Sequence, residues 1–172
     1  MDLLMFHKYH GTGNDFIMID NRTSKYEDML KSPEKLQKLC DRKLGVGADG
    51  INEIKTANGY DFEMLYYNSD GILGNMCGNG ARCCLKFVKE IGLVSKTDVH
   101  FLANDGEHFG RYITEDGEDE SYAVKMKDVC EVIEYDDHSY FIDTGAPHHV
   151  TFVSDLRTYD VHTEGNRKFP TI

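Results

Sequence analysis

The hydrophobic positions of this sequence recur mostly with the short period of β-strands. FHKYH (6–10) and FIMID (16–20) flank the turn-forming segment GTGND (11–15), which predicts a strand, a glycine turn and a second strand. INEIKT (51–56) and YDFEMLYYN (60–68) predict another pair around the Ala-Asn-Gly turn signal between them. Short segments rich in β-branched and aromatic residues predict further strands: DVHFLAN (98–104), EHFGRYIT (107–114), YAVKMKDV (122–129), EVIEYDD (131–137), SYFIDTG (139–145) and HHVTFVSDL (148–156).

Two segments carry the longer period of an amphipathic helix. SPEKLQKLCDRKL (32–44) begins with Ser32 as a candidate N-cap and Pro33 at the first helical position. Its apolar residues recur at helical spacing: Leu36, Leu39, Cys40 and Leu44. The second segment is CGNGARCCLKFVKEI (77–91). Its apolar residues cover most of the helix circumference: Cys77, Ala81, Cys84, Leu85, Phe87, Val88 and Ile91. Such a helix must be largely buried, with Cys77 at its amino-terminal end.

Many strands with two helices, one of them strongly apolar, predict an α+β fold in which a mixed sheet is rolled around a central helix. GTGNDFIMID (11–20) and DTGAPHHVTFV (143–153) form a faint repeat, since each runs from Thr-Gly through turn residues into an apolar stretch. We therefore expect a first lobe over residues 1–120, which carries Cys77, and the first strands of a second, similar lobe over residues 121–172. A counterpart of Cys77 in that second lobe would fall beyond the sequence given.

The composition is that of a globular protein, with 40% hydrophobic and 28% charged residues. The formal net charge of −11 repels nucleic acids and anionic membranes, so neither is an expected partner. Apolar runs fall short of the ~20 residues that a transmembrane helix needs, and Asp2 stands where a signal peptide carries positive charge. The sequence therefore predicts a cytoplasmic protein in which the five cysteines are reduced thiols.

The segment GVGADG (45–50) matches the glycine pattern of dinucleotide-binding loops, but its context is reversed. Such a loop follows a strand and opens a helix, whose N-terminus holds the pyrophosphate. Here the predicted helix precedes the glycines, and a predicted strand follows them. We therefore expect these glycines to form a helix C-cap and a tight loop rather than a nucleotide site.

The cysteines of NMCGNGARCC (75–84) admit several interpretations. The spacing from Cys77 to the following pair differs from the C-x2-4-C pairs of structural zinc sites, so no metal is expected. A disulfide is not expected in a cytoplasmic protein. Cys83 and Cys84 belong to the helix body and are predicted to be small core residues.

Cys77 stands where a helix presents its unpaired backbone N–H groups, directly before Gly-Asn-Gly. Their partial positive charge favours a thiolate, and the same groups can hold a ligand carboxylate. Cys77 is therefore a candidate base or nucleophile, with a merely structural cysteine as the alternative. His148 or His149 could support such a thiol. Three asparagines are either turn-formers or amide ligands for a polar molecule: Asn14, Asn68 and Asn79.

Four segments, taken in order, carry the signature of a known family: HGTGNDFIMID (10–20), DRKLGVGADG (41–50), YYNSDGILGNMCGNGARC (66–83) and DTGAPHHV (143–150). Over residues 5–155 the chain resembles the first half of diaminopimelate epimerase. The resemblance implies a cofactor-independent isomerase that interconverts LL- and meso-diaminopimelate, late in the synthesis of lysine and peptidoglycan precursors. It also implies a small amino acid as the binding partner, a homodimer for the full-length protein, and two similar lobes, each a sheet rolled around a central helix.

The family resemblance implies a mechanism with two cysteines on opposite faces of the substrate α-carbon. One thiolate removes the α-proton while the other cysteine, as a thiol, delivers a proton from the far side. Two helix amino termini aimed at the α-carboxylate would stabilise the carbanion-like state without a metal or a cofactor. Carried over by motif, the predicted catalytic residues are Cys77 and His148, the latter tuning the cysteine pair. The predicted substrate-binding residues are Asn14, Asn68, Gly78 and Asn79.

The sequence departs from the family pattern in three places. Ala146 replaces a common asparagine, and Gly50 stands where many members have glutamine. The second-lobe cysteine, with the Glu-Arg pair that precedes it, is not among the residues given. We therefore expect little or no epimerase activity from this chain alone, because one thiol cannot protonate the opposite face. The alternatives are a related racemase acting on proline or histidine, and a non-catalytic lobe that binds an amino acid or a partner protein.

Overall fold

A computed structural model of the chain describes residues 3–114 and 120–168. Two units are present, Met1–Lys127 and Asp128–Ile172. The sequence placed the boundary between lobes at residue 120, whereas the seventh strand pairs within the first unit, which extends to Lys127. Among the described residues, no helix has the length and apolar character needed to span a membrane.

Seven strands of the first unit form one sheet, in which the spatial order follows the order along the chain. The strands are β1 (His7–Gly11), β2 (Asn14–Asp20), β3 (Gly50–Lys55), β4 (Phe62–Asn68), β5 (Asp98–Ala103), β6 (Gly106–Ile113) and β7 (Ser121–Val124). β2 pairs with β3 in parallel, and so does β4 with β5, while the other neighbours are antiparallel. The predicted mixed sheet is therefore confirmed, although β7 ends earlier than the sequence indicated.

The central helix, α3 (Gly78–Glu90), lies in the concave side of this sheet. It contacts β1 at one edge and β7 at the other, so the sheet must curl around it. Four of its side chains have no exposed surface: Ala81, Cys84, Leu85 and Val88. Cys83 is also buried, so the prediction that Cys83 and Cys84 are packing residues is confirmed. The predicted α+β class, with a sheet rolled around a central helix, is confirmed as well.

A second layer covers the opposite face of β2 and β3. The short helix α1 (Glu27–Leu30) and the helix α2 (Pro33–Cys40) bring Leu36 and Cys40 against Ile17, Ile19 and Ile51. β2 is therefore buried on both faces, which explains its continuous apolar run in place of strict alternation.

The end of α2 corrects one prediction. The sequence indicated a helix as far as Leu44, but α2 ends at Cys40, and 81% of the Leu44 side chain is exposed. The reason is local, because the Asp41 carboxylate accepts the Leu44 backbone N–H at 2.7 Å and so competes with the helical hydrogen bonds. Gly47, with φ of 80°, then donates its N–H to the Leu39 carbonyl at 3.1 Å. The glycines thus form the C-cap and loop that the sequence predicted.

The second unit contains a three-stranded antiparallel sheet of order β10-β9-β8. Its elements are β8 (Val132–Asp136), β9 (Ser139–Asp143), β10 (Pro147–Thr151) and α4 (Val161–Lys168). The three strands were predicted, whereas α1 and α4 were not. That this unit begins a second lobe similar to the first stays a prediction.

Candidate functional site

Cys77 occupies the N-cap position of α3, with an extended backbone. The first intrahelical hydrogen bond runs from the Ala81 N–H to the Cys77 carbonyl, over 2.7 Å. The amides of the three residues between them, at 78–80, therefore lack an acceptor within the helix. The first turn of α3, all of it described, contains no acidic residue that would offset the positive helix end. The thiol thus lies beside amide donors that have no acceptor within the helix, at the position that the sequence indicated.

Asn14 and Asn79 are the polar neighbours of the thiol. The Cys77 thiol donates to the Asn14 Oδ1, with Sγ and Oδ1 3.8 Å apart, and the Asn79 Nδ2 donates to the same oxygen at 3.3 Å. A β1–β2 turn with positive φ at Thr12 and at the following glycine brings Asn14 to the helix end. A Cβ at Gly11 would come within 3.2 Å of the Asn79 Cβ, so a larger residue there would press against Asn79.

A charged network, which the sequence did not predict, holds the other side of Asn14. The Asn14 Nδ2 donates to Asp49 at 3.0 Å. Arg42 bridges Asp49 and Asp15, with nitrogen–oxygen distances of 2.6 and 2.7 Å, and Lys8 also pairs with Asp15. Because its Nδ2 is engaged with a carboxylate, the amide of Asn14 turns its oxygen towards the thiol.

The same hydrogen bonds keep both carboxylates of this network ionised. Arg42 lowers the pKa of Asp15 well below its usual range, and the amide of Asn14 lowers the pKa of Asp49. The signal was present in the sequence, since Arg42 and Asp49 lie in the glycine-loop motif and Asp15 follows Asn14 directly. What the sequence lacked was a reason to pair residues from distant segments.

Asn68, another predicted binding residue, lies at the exposed end of β4. Its Oδ1 accepts a hydrogen bond from the Tyr66 hydroxyl at 3.0 Å. Burial, and then the negative charge of a Cys77 thiolate, raise the pKa of Tyr66 to about 12, so the phenol keeps its proton. Tyr66 and Cys77 pack against the same core cluster, so Tyr66 connects Asn68 with the part of the core that borders Cys77. The sequence did not point to Tyr66, although it faces the same side of the strand as Asn68.

The other cysteines of the first unit are less accessible than Cys77. Burial raises the pKa of both Cys40 and Cys83 to about 11, and it raises the pKa of Cys84 well above its usual value. All three are therefore protonated at neutral pH, and they lie in the core. Cys77 is partly exposed, which makes it the α3 thiol that a ligand can reach.

Gly78 and His148 complete the predicted set. Gly78 opens α3, and a Cβ built there would meet Met126 Sδ only at 3.4 Å, so its amide lies in an uncrowded position. His148 belongs to β10 of the second unit and is exposed. Its Nδ1 lies 2.6 Å from the Ala146 carbonyl, and because a carbonyl oxygen only accepts, Nδ1 is the donor of this hydrogen bond. The proposed effect of His148 on a thiol stays a prediction.

Comparison with known proteins identifies the relatives of this chain. The model of a family described as diaminopimelate epimerase matches residues 6–129. A diaminopimelate epimerase of Flavobacterium psychrophilum is 43% identical over 162 residues, which cover 94% of this chain and 60% of the relative. A diaminopimelate epimerase of Chlorobaculum tepidum is 37% identical over 161 residues, which cover 90% of this chain and 60% of the relative. The chain therefore spans about three-fifths of the length of these curated relatives.

Solved structures share the fold at much lower sequence identity. A Bacillus anthracis phenazine biosynthesis protein of the PhzF family superposes with a TM-score of 0.69 at 13% identity, covering 97% of this chain and 62% of that one. A probable proline racemase from Agrobacterium radiobacter, with bound carbonate, gives a TM-score of 0.64 at 15% identity. The match covers 91% of this chain and 54% of the racemase chain. At such identities the likeness shows the fold alone.

Proposed function

The chain belongs to the diaminopimelate epimerase family, and we propose that the protein interconverts LL- and meso-diaminopimelate without a cofactor. The observation that carries this proposal is the position of Cys77, at the start of α3 and within hydrogen-bonding distance of Asn14. A partly exposed thiol, backbone amides without a helical acceptor and two side-chain amides meet there, which suits the recognition of an amino acid and the transfer of its α-proton.

The proposed reaction is a proton exchange at the substrate α-carbon. The Cys77 thiolate takes the α-proton, so that the carbon–hydrogen bond breaks and an S–H bond forms. A thiol on the opposite face then gives its proton to the carbon and becomes a thiolate. One carbon–hydrogen bond is lost and one is gained, with no net oxidation, and the reverse reaction exchanges the roles of the two sulfurs.

The first turn of α3 would stabilise the charge that develops during this reaction. The α-proton of an amino acid is weakly acidic, so the carbanion-like state needs donors fixed in advance. Backbone amides at a helix N-terminus bind a carboxylate and favour negative charge. The Asn14 oxygen accepts a hydrogen bond from the Cys77 thiol, and backbone amides without a helical acceptor lie at the same helix end. The thiol therefore has the Asn14 oxygen as its acceptor, and a thiolate would have the backbone amides at the start of α3 as donors.

The opposite face requires a second acid–base group. We propose that these 172 residues supply Cys77 on one face of the substrate α-carbon, and that the thiol on the other face comes from outside them. Asn14, Asn68, Asn79 and the amide of Gly78 would bind the substrate, and His148 would adjust the protonation of the cysteine pair. The cytoplasmic location and the homodimer of the full-length protein belong to the same proposal.

Deuterium incorporation tests the proposed reaction. LL-diaminopimelate is incubated in D2O with the complete gene product and with the 172-residue chain, and NMR follows the α-position while chiral chromatography follows the meso isomer. The gene product is expected to invert and exchange the substrate, whereas the 172-residue chain binds it without inverting it. Cys77→Ala abolishes inversion, and Cys130→Ala, at an exposed cysteine of the second unit, leaves it intact. Inversion that survives Cys77→Ala, or faster inversion of L-proline or L-histidine, would contradict the proposal.

A further inference from the structure

The ring of Tyr66 lies between two glycines at the end of β4. A Cβ at Gly50 would come within 2.5 Å of Tyr66 Cε2, and a Cβ at Gly74 within 3.0 Å of Tyr66 Cδ1. Phe16 packs edge-to-face against the same ring, with centroids 6.0 Å apart. Gly50 is also a position at which the sequence departs from the family pattern. The ring is therefore confined from several sides: a side chain at residue 50 would overlap it, and one at residue 74 would press against it.

The confined ring fixes the direction of its hydroxyl group. The Tyr66 hydroxyl donates to the Asn68 Oδ1 at 3.0 Å. Asn68 is otherwise an exposed side chain at a strand end, where it would sample several rotamers. The Asn68 Nδ2 lies above Gly74, only 3.0 Å from the position that a Cβ would take there. A side chain at residue 74 would therefore crowd the amide as well as the ring.

We propose that Tyr66 is a positioning residue, which holds Asn68 so that the amide Nδ2 faces outward as a donor to a carboxylate of the amino-acid substrate. This inference rests on the proposed function and deepens it, because it specifies which group of Asn68 meets the ligand and what orients that group. Tyr66 acts through Asn68 and need not touch the substrate.

The protonation of Tyr66 agrees with this role. Burial, followed by the charge of the Cys77 thiolate, raises the pKa of Tyr66 to about 12. The phenol therefore remains a donor across the pH range in which a cysteine pair exchanges protons. With its Oδ1 occupied by that donor, Asn68 offers an N–H group to the ligand, and N–H groups bind the oxygens of a carboxylate.

Side-chain amide NMR tests the hydrogen bond without any assay of activity. In the 172-residue chain, the Nδ2 signals of Asn68 are assigned by their loss in Asn68→Ala. Tyr66→Phe keeps the ring and removes the hydroxyl, so these signals are expected to move towards the positions of solvent-exposed asparagines. Tyr60→Phe, in the loop before β4, is the matched control and should leave them unchanged. Asn68 signals that coincide in Tyr66→Phe and the unmodified chain would overturn the inference.

Kinetics of the complete gene product test the functional consequence. Tyr66→Phe is expected to raise the KM for LL-diaminopimelate about five- to tenfold, with kcat within about twofold, since a hydrogen bond to a charged group is weakened. Asn68→Ala should have at least the same effect, and the double variant should be no worse than Asn68→Ala. An unchanged KM in Tyr66→Phe, or additive effects in the double variant, would overturn this inference alone. An unmodified enzyme that fails to invert the substrate would instead overturn the proposed function.

Discussion

The Asn14 side-chain oxygen lies 3.8 Å from the Cys77 sulfur, although 63 positions separate the two residues. The turn before β2 and the start of α3 create this contact, and Asp49 fixes it by holding the Asn14 amide from the other side. The orientation of a partner of the thiol therefore depends on an acidic residue of the glycine loop. This dependence can be tested through the reactivity of Cys77 itself.

The cysteines of the folded chain should differ sharply in alkylation. Iodoacetamide is expected to modify Cys77 and Cys130 in minutes, whereas Cys40, Cys83 and Cys84 should react only after unfolding, because burial blocks them and raises their pKa values. Mass spectrometry of peptides after timed alkylation measures each site. Modification of Cys84 in the native chain at the rate of Cys77 would contradict the prediction.

Removal of the Asp49 carboxylate should free Asn14 and speed the alkylation of Cys77. In Asp49→Ala, Asn14 Nδ2 loses its acceptor, so the amide no longer turns its oxygen towards the thiol. A thiol that loses an acceptor ionises more readily, and we expect alkylation about threefold faster or more. The rate is measured by quenched-flow alkylation with peptide mapping.

Two further variants separate the effects of charge and of hydrogen bonding at Asp49. Asp49→Asn removes the charge but keeps an oxygen that can accept from Asn14. The rate of Cys77 alkylation should therefore increase less in Asp49→Asn than in Asp49→Ala. Asp28→Ala, an exposed change at the first turn of α1, should leave the rate of Cys77 alkylation unchanged. Equal rates in Asp49→Asn and Asp49→Ala would show that charge alone acts on the thiol.

The regular elements could be predicted because their causes are local. Period-two and helical patterns are written into neighbouring residues, and the apolar circumference of α3 predicted a central helix with Cys77 at its start. The end of α2 was missed because it depends on a single side chain, Asp41, which competes for backbone N–H groups. The hydrophobic spacing that continues to Leu44 gives no sign of that competition.

The site could be predicted only in part, for a related reason. Family motifs indicated Asn14, Asn68 and Asn79, but they did not show what orients these amides. The pairing of Asn14 with Asp49 joins residues 35 positions apart, and the strand order that brings them together is a property of the whole sheet. Tyr66 was hidden for a different reason, since a tyrosine within an apolar strand is usually a packing residue, and only its hydroxyl contact distinguishes it.

Asp15 should make the stability of the first unit depend on acid pH. The pKa of Asp15 is lowered in the folded state, chiefly by Arg42. Its ionised carboxylate therefore stabilises the fold fully above its pKa in the unfolded chain, about 4. This stabilisation is lost as the pH falls through the lower pKa of the folded state. Urea unfolding between about pH 6 and pH 3 should therefore show a shallower pH dependence in Asp15→Asn, and the difference between the curves should shrink towards low pH. Glu134→Gln, at an exposed position of β8, serves as the control for charge removal. If the free energy of unfolding depends on pH in the same way in Asp15→Asn and in the unmodified chain, the ionised Asp15 carboxylate does not stabilise the fold.

Gly50→Ala should destabilise the first unit more than its single methyl group suggests. The added Cβ would lie 2.5 Å from Tyr66 Cε2 and 2.7 Å from the Tyr67 carbonyl oxygen, both too close for contact. Neither neighbour can move freely, because the ring is confined by Gly74 and the carbonyl belongs to β4, which pairs with β3. We expect a loss of about 1–3 kcal/mol in the free energy of unfolding, the usual cost of overpacking.

The control for that substitution is Gly78→Ala in the same unit. A Cβ at Gly78 meets nothing nearer than Met126 Sδ at 3.4 Å, so its effect should stay within about 0.5 kcal/mol. Urea unfolding of both variants gives the comparison, and the Asn68 side-chain amide signals report whether the ring of Tyr66 has moved. If Gly50→Ala is as stable as Gly78→Ala and leaves those signals in place, the backbone at Gly50 does not press on the ring. Tyr66 would then be free to shift, and its hydroxyl could not hold Asn68 in one orientation.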